Sequence, residues 1–105
     1  FTGVLPYDMT KSGILGLTRG LAEEWKNDNI LVNSVAPGWF LTKLNEGMFE
    51  QNPDRRAAAL SKPMLPRFGK PVEIGYMMLF LLSGASTYLT GHDFAVDGGA
   101  TSHGF

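Results

Sequence analysis

The chain has 105 residues, 44% of them apolar and 18% charged, with nine Lys and Arg against ten Asp and Glu for a net charge of −1. That balance suffices for one folded core or a piece of one; it excludes a disordered tail and shows none of the basic striping that nucleic-acid binding requires. There is no cysteine, which rules out a disulfide framework and a thiolate metal site and fits a reducing, cytoplasmic compartment.

The chain opens with Phe1-Thr2-Gly3, with no initiator Met and no charged-then-apolar leader, so the expectation is a fragment of a longer protein. Pro6 then introduces a segment with apolar residues at Ile14, Leu17, Leu21 and Trp25. Those spacings of three and four predict a helix with that face buried, and Pro suits a first helical turn. Gly13, Gly16 and Gly20 recur along the same helix. Each costs up to ~1 kcal/mol relative to Ala, which points to a tight packing interface. Asn27-Asp28-Asn29 ends the helix.

The run 30–36, Ile-Leu-Val-Asn-Ser-Val-Ala, is short, largely apolar on both faces, and closed by Pro37-Gly38. It predicts a strand buried within a parallel sheet. From 39 to 66 the pattern is irregular, with short helices expected over 45–50 and 53–61. Pro71 starts a second clear helix, with Glu73 favourably placed in its first turn and Ile74, Met77, Met78, Leu81 and Leu82 as its expected buried face. The apolar run 76–82 is far shorter than the roughly 18 residues of a membrane span. Ser83-Gly84 stops this helix, Gly91 turns into a last strand over 92–96, and Asp97-Gly98-Gly99 closes it before a small polar tail. Helix, strand, excursion, helix, strand is the order of the second half of a doubly wound α/β sheet. Two strands alone do not complete such a sheet.

Two motifs carry chemistry. Tyr7 and Lys11 are four apart at the start of a helix, hence one turn apart on one face. A phenol titrates near 10, and a neighbouring ammonium lowers that value toward one useful for proton exchange with a carbonyl or alcohol oxygen. Taken alone, Tyr-x-x-x-Lys is short and common, and an ordinary surface pair is the better reading. The second motif is Asn33-Ser34-Val35-Ala36-Pro37-Gly38-Trp39-Phe40-Leu41-Thr42. Its Pro-Gly bend falls at the carboxyl edge of the sheet, where open α/β folds bind ligands. Gly38 would let a ligand approach the backbone and Thr42 would hydrogen-bond it; a plain strand-to-loop turn is an equal reading. His92 and His103 lack a metal spacing or an acidic companion, so no metal site is expected. The charged start Asp54-Arg55-Arg56 reads as solvated.

These motifs, with Leu17-Thr18-Arg19-Gly20-Leu21-Ala22-Glu23-Glu24-Trp25, Arg67-Phe68-Gly69-Lys70-Pro71-Val72-Glu73-Ile74 and the stretch from Thr90-Gly91 to Gly99, resemble the short-chain dehydrogenase/reductase family over essentially the whole chain. The resemblance implies an NAD- or NADP-dependent oxidoreductase interconverting a carbonyl and a secondary alcohol. Tyr7 is then the proton donor and acceptor, and Lys11 binds the nicotinamide ribose and lowers the pKa of Tyr7. Pro37, Gly38, Phe40 and Thr42 hold the carboxamide, while Trp39, Leu41 and Leu44 belong to a substrate loop over 39–66. It also implies that residues 1–105 are the C-terminal portion of one Rossmann-type domain, a Rossmann-like parallel sheet truncated on its N-terminal side. The glycine-rich turn, the residue separating NAD from NADP, the Asn-Ala-Gly segment and the catalytic Ser would precede Phe1. Gluconate, polyol and 3-oxoacyl substrates all fit the loop. A homo-oligomer, dimer or tetramer, is implied, with neither nucleic acid nor membrane as partner. The rival reading is a non-catalytic assembly module descended from such an enzyme.

Overall fold

A computed structural model describes the backbone of residues 4–102 and the side chains from Met9 onward. The Tyr7 side chain, His103 and the end of the polar tail lie outside the described residues. In chain order the elements are α1 (Val4–Glu24), β1 (Ser34–Pro37), α2 (Glu46–Gln51), α3 (Pro53–Ser61), α4 (Pro71–Leu81) and β2 (Asp93–Val96). The contacts separate into two compact units, Phe1–Val35 with Phe80–Phe94 and Ala36–Leu79 with Ala95–Phe105.

β1 and β2 form a two-stranded sheet. Ser34 N–H donates to His92 O at 3.0 Å and Gly38 N–H to Val96 O at 2.9 Å. Both pairs have the same sequence offset, so the strands are parallel.

In the first unit, α1 places Pro6 in its first turn, where the missing N–H costs nothing. It ends through a 3-10 turn over Lys26–Asp28, and Asn29 stops the chain in the left-handed region at φ 59°. An ion pair joins Lys26 to Glu23. The buried stripe is not the expected one. Thr18 and Ala22 are buried and Leu15 half-buried, whereas Ile14 and Leu17 are exposed. The helix carries apolar residues on both of these neighbouring faces, and spacing alone cannot rank them. The small residues Ala22 and Thr18 permit the closer approach, and the Thr18 hydroxyl is satisfied by donating to Ile14 O at 2.8 Å. Gly13, Gly16 and Gly20 fall on the opposite side, and a Cβ at any of them would meet nothing within 4 Å among the described residues. The tight interface expected there is not formed among the described residues.

The strand predicted over 30–36 occupies 34–37 instead. Residues 30–33 are held by another device. The Asn33 amide donates to Leu89 O at 3.0 Å and accepts from His92 N–H at 3.2 Å, while Val32 N–H donates to the Thr90 hydroxyl at 3.0 Å. Side chains thus supply most of the bonds a ladder would, and the segment is not a strand. Nor is β1 fully buried: its first three residues are half-buried and Pro37 is exposed. Ser34 donates to Asp93 at 2.7 Å, pairing the strand starts. Gly91, at φ +76°, makes the turn that the approach to β2 requires and donates to Val32 O at 2.7 Å. Ser86, buried, donates to Leu81 O at 2.9 Å and closes the C-terminus of α4.

The second unit contains α2, α3 and most of α4. Pro53 and Pro71 stand first in α3 and α4, which is why those starts were legible. Ile74, Met77 and Leu81 of the expected α4 face are half-buried, but Met78 and Leu82 are exposed. The helix is apolar around its whole circumference, so a single stripe does not define its orientation. Phe49 is the centre of packing here, 2% exposed, with Ala59 also buried. Trp39 meets its ring edge-on at a centroid distance of 5.6 Å, and Phe68 lies tilted at 4.9 Å. Arg56 stacks its guanidinium over Phe68 at 5.7 Å, so the charged start of α3 covers an aromatic face instead of being simply solvated.

Candidate active site

Positions 7 and 11 both fall within the unbroken helix α1, one turn apart along the backbone. Lys11 is half-buried. These two belong to the first unit; the Pro37–Thr42 segment belongs, from Ala36 onward, to the second.

That segment is built upward from the end of β1. Pro37 is its last residue, and Gly38 continues the ladder through its N–H to Val96 O. Gly38 is a position of close approach, and what approaches it here is Asp97 and not a ligand. A Cβ on Gly38 would lie 2.8 Å from both Cα and Cβ of Asp97. Next, a single parallel bridge joins Phe40 to Gly69. Gly69 N–H donates to Trp39 O at 2.9 Å, and Leu41 N–H donates to Gly69 O at 3.3 Å. The Phe40 ring fills the space beside Gly69, where a Cβ would come within 2.7 Å of a ring carbon.

Asn45, which the sequence reading did not single out, organises the rest of the loop. Its Nδ2 donates to Phe40 O at 2.8 Å, and its Oδ1 accepts from Thr42 N–H at 2.8 Å. The Thr42 hydroxyl accepts a long bond, 3.4 Å, from Asn45 N–H, and Thr42 O accepts from Glu46 N–H at 2.9 Å. Thr42 therefore does double duty as the entry to α2, and its hydroxyl proton has no acceptor among the described residues. Thr42 is exposed. An exposed hydroxyl of this kind is open to a carbonyl or amide oxygen of a ligand. The signal for Asn45 was its position three after Thr42 at a helix start, a capping arrangement. Trp39 and Leu41 are partly exposed and Leu44 is 95% exposed.

At the other end of the unit, Asp97 follows β2. Its Oδ1 accepts from Gly99 N–H at 2.9 Å and its Oδ2 from Thr101 N–H at 3.0 Å. Burial pushes this carboxyl up, but the side-chain and backbone donors of Thr101, with the N–H groups of Gly99 and Ala100, outweigh it and hold it below its ordinary value. No cluster of three His, Asp or Glu side chains that could hold a metal ion occurs among the described residues, and no described helix is long and apolar enough to cross a membrane.

A family model described as enoyl-(acyl carrier protein) reductase matches residues 1–101, nearly the whole chain. The chain belongs to the short-chain dehydrogenase/reductase family. Among the relatives of this family, the 3-oxoacyl-(acyl-carrier-protein) reductase FabG of Thermotoga maritima is 42% identical over 97 residues, which is 92% of this chain and 38% of that reductase. A solved structure from Sinorhizobium meliloti, assigned as a short-chain alcohol dehydrogenase, superposes with a TM-score of 0.83 at 45% identity, covering 93% of this chain and 38% of that one. A protein of Agrobacterium tumefaciens, assigned as a 2-deoxy-D-gluconate 3-dehydrogenase and solved with bound NADP, superposes at 0.85 with 35% identity, covering 92% of this chain and 39% of that one. The chain thus spans under two-fifths of the length of these relatives. The α/β fold expected from the element order is that of the family: the C-terminal half of a doubly wound, Rossmann-like parallel sheet.

Proposed function

We propose that the protein carrying this chain is an NAD- or NADP-dependent oxidoreductase that interconverts a carbonyl and a secondary alcohol. Residues 1–105 form the C-terminal portion of its single Rossmann-type domain, and 39–66 form its substrate loop. The observation that carries the reading is a chain matched to the family over residues 1–101 in which one helix, α1, contains both Tyr7 and Lys11 one turn apart.

The residues present suit a nicotinamide cofactor. Thr42 presents an exposed hydroxyl, and Asn45 fixes the backbone on either side of Leu41. Pro37, Gly38, Phe40 and Thr42 would hold the carboxamide end, and Lys11 the ribose. When bound, the nicotinamide gives or takes the hydride, and the protein's share is orientation and proton transfer. Tyr7 supplies the proton to the substrate oxygen in reduction and removes it in oxidation. The ammonium of Lys11 favours the phenolate and so brings that exchange into the neutral range. Trp39, Leu41 and Leu44 face the substrate, a sugar acid, a polyol or a 3-oxoacyl group. The relatives divide between acyl and sugar-acid names, and both classes present a secondary alcohol or its ketone. The working form in this reading is a cytoplasmic homo-oligomer, as the family resemblance implies.

Tyr7→Phe in the whole protein tests the assignment. The variant should fold, bind NADPH or NADH as the parent does, and lose about a hundredfold or more of turnover, because only the transferable proton is removed. Turnover near the parent's level would remove Tyr7 from the mechanism.

A further inference from the structure

The turn after β2 does more than end the strand. Asp97 binds the N–H groups of Gly99 and Thr101 with one carboxylate oxygen each, at 2.9 and 3.0 Å, and its carbonyl accepts from Ala100 N–H at 3.2 Å. These bonds hold Gly98 at φ +63° and Gly99 at φ +90°, a left-handed pair that other residues rarely adopt. The turn then makes two contacts with no room to spare. On one side the backbone of Asp97 sits against Gly38, where a Cβ would meet it at 2.8 Å. On the other, Gly98 O accepts from Leu65 N–H at 3.0 Å, and Cβ atoms on Gly98 and Gly99 would lie 3.2 Å from Pro63 and 3.0 Å from Met64.

We propose that Asp97 is a positioning residue: the turn it organises seats both the Pro37-Gly38 end of β1 and the 63–65 stretch that returns from the excursion. One carboxylate thereby ties the two roots of the loop, so that cofactor grip and substrate loop keep a common frame. The inference rests on the oxidoreductase reading only for its functional meaning; the seating itself is a matter of hydrogen bonds and close packing.

Amide hydrogen exchange of the whole protein without ligand tests it, using Asp97→Ala, Asp97→Asn and Gly38→Ala. Loss of both charge-assisted bonds should speed exchange about tenfold in peptides covering 38–42 and 64–66 in Asp97→Ala. Asp97→Asn should fall between, because it keeps one acceptor oxygen and turns a second donor toward Thr101 N–H. Gly38→Ala should produce the same signature from the other side of the contact. The α1 peptide 14–24 should exchange as in the parent in all three. Acceleration confined to 98–102, or equal acceleration in α1, would overturn the proposal. If Asp97→Ala does not fold, Asp97→Asn and Gly38→Ala decide by the same criteria. NADPH titration of the same variants, followed by nicotinamide fluorescence, should weaken in the order of the exchange rates. A parent that binds neither NADPH nor NADH would sink the oxidoreductase reading while leaving the exchange pattern to judge the positioning.

Discussion

Arg67 grips Glu73 by both carboxylate oxygens, Nη1 to Oε1 at 2.8 Å and Nη2 to Oε2 at 3.0 Å. Lys70 N–H adds a third bond to Oε1 at 2.8 Å, so the residue that starts α4 favourably also straps the end of the excursion to it. A fork of two parallel bonds is the geometry in which an Arg–carboxylate pair is best defined.

The strap should be visible in the acid limb of the stability curve. The Arg67 hydrogen bond, then that of Lys70 N–H, hold the Glu73 carboxyl at about 2 against an ordinary 4.5. A carboxyl depressed in the folded state contributes stability that is fully present above 4.5 and is lost as pH falls through about 2. Urea unfolding midpoints should therefore decline over that window, and Glu73→Gln should flatten the decline. Because the pair is solvent-exposed, added salt should shrink the difference between parent and variant. Identical pH profiles for the two proteins would show that the strap contributes nothing to folding.

Phe49→Ala removes the centre of the second unit. Trp39 and Phe68 both lose their ring partner, and a buried aromatic truncated to Ala typically costs about 3–5 kcal/mol. A fall in thermal midpoint should be accompanied by a red shift of tryptophan emission, since Trp39 loses its covering edge. Phe49→Leu should recover most of the stability. A midpoint within a degree or two of the parent would mean that the loop packs by other contacts.

Asn45→Ala isolates the loop's internal frame from its chemistry. It deprives Phe40 O and Thr42 N–H of their partners, a loss of about 1 kcal/mol per hydrogen bond. If the Thr42 hydroxyl must be held to meet a ligand, NADPH affinity should fall roughly fivefold or more. Asn45→Asp should behave differently from Ala, keeping the bond from Thr42 N–H and losing the donor to Phe40 O. Equal affinity in all three proteins would place the cofactor grip elsewhere.

What the sequence made legible followed from covalent constraint. Pro53 and Pro71 suit a helix start and not a helix interior, and Gly91, Gly98 and Gly99 mark the positive φ values that the turns require. The sharp turn expected at Pro37-Gly38 is absent, because Gly38 N–H continues the ladder to Val96 O. Packing direction was not legible either. Ile14 and Leu17 outrank Thr18 and Ala22 in hydrophobicity, yet the smaller pair faces inward because close approach decides the contact. The beginning of β1 was misplaced because Asn33 and Thr90 supply bonds that a propensity argument assigns to a ladder. Asn45 escaped notice because an amide bridging two backbone groups leaves no hydrophobic signature, and Asp97 because a strand-closing Asp-Gly-Gly reads as punctuation.

The bridge between Phe40 and Gly69 has a consequence for how such a protein can change over time. By closing the excursion at its base, it converts residues 41–68 into a loop whose ends are already fixed. The entropic penalty for lengthening a closed loop is small, only about 0.6 kcal/mol per doubling. Insertions and deletions between Lys43 and Lys62 can therefore reshape the loop while Gly38 stays where it is. Under the function proposed above, such a protein acquires new substrates by editing one segment, without renegotiating its chemistry.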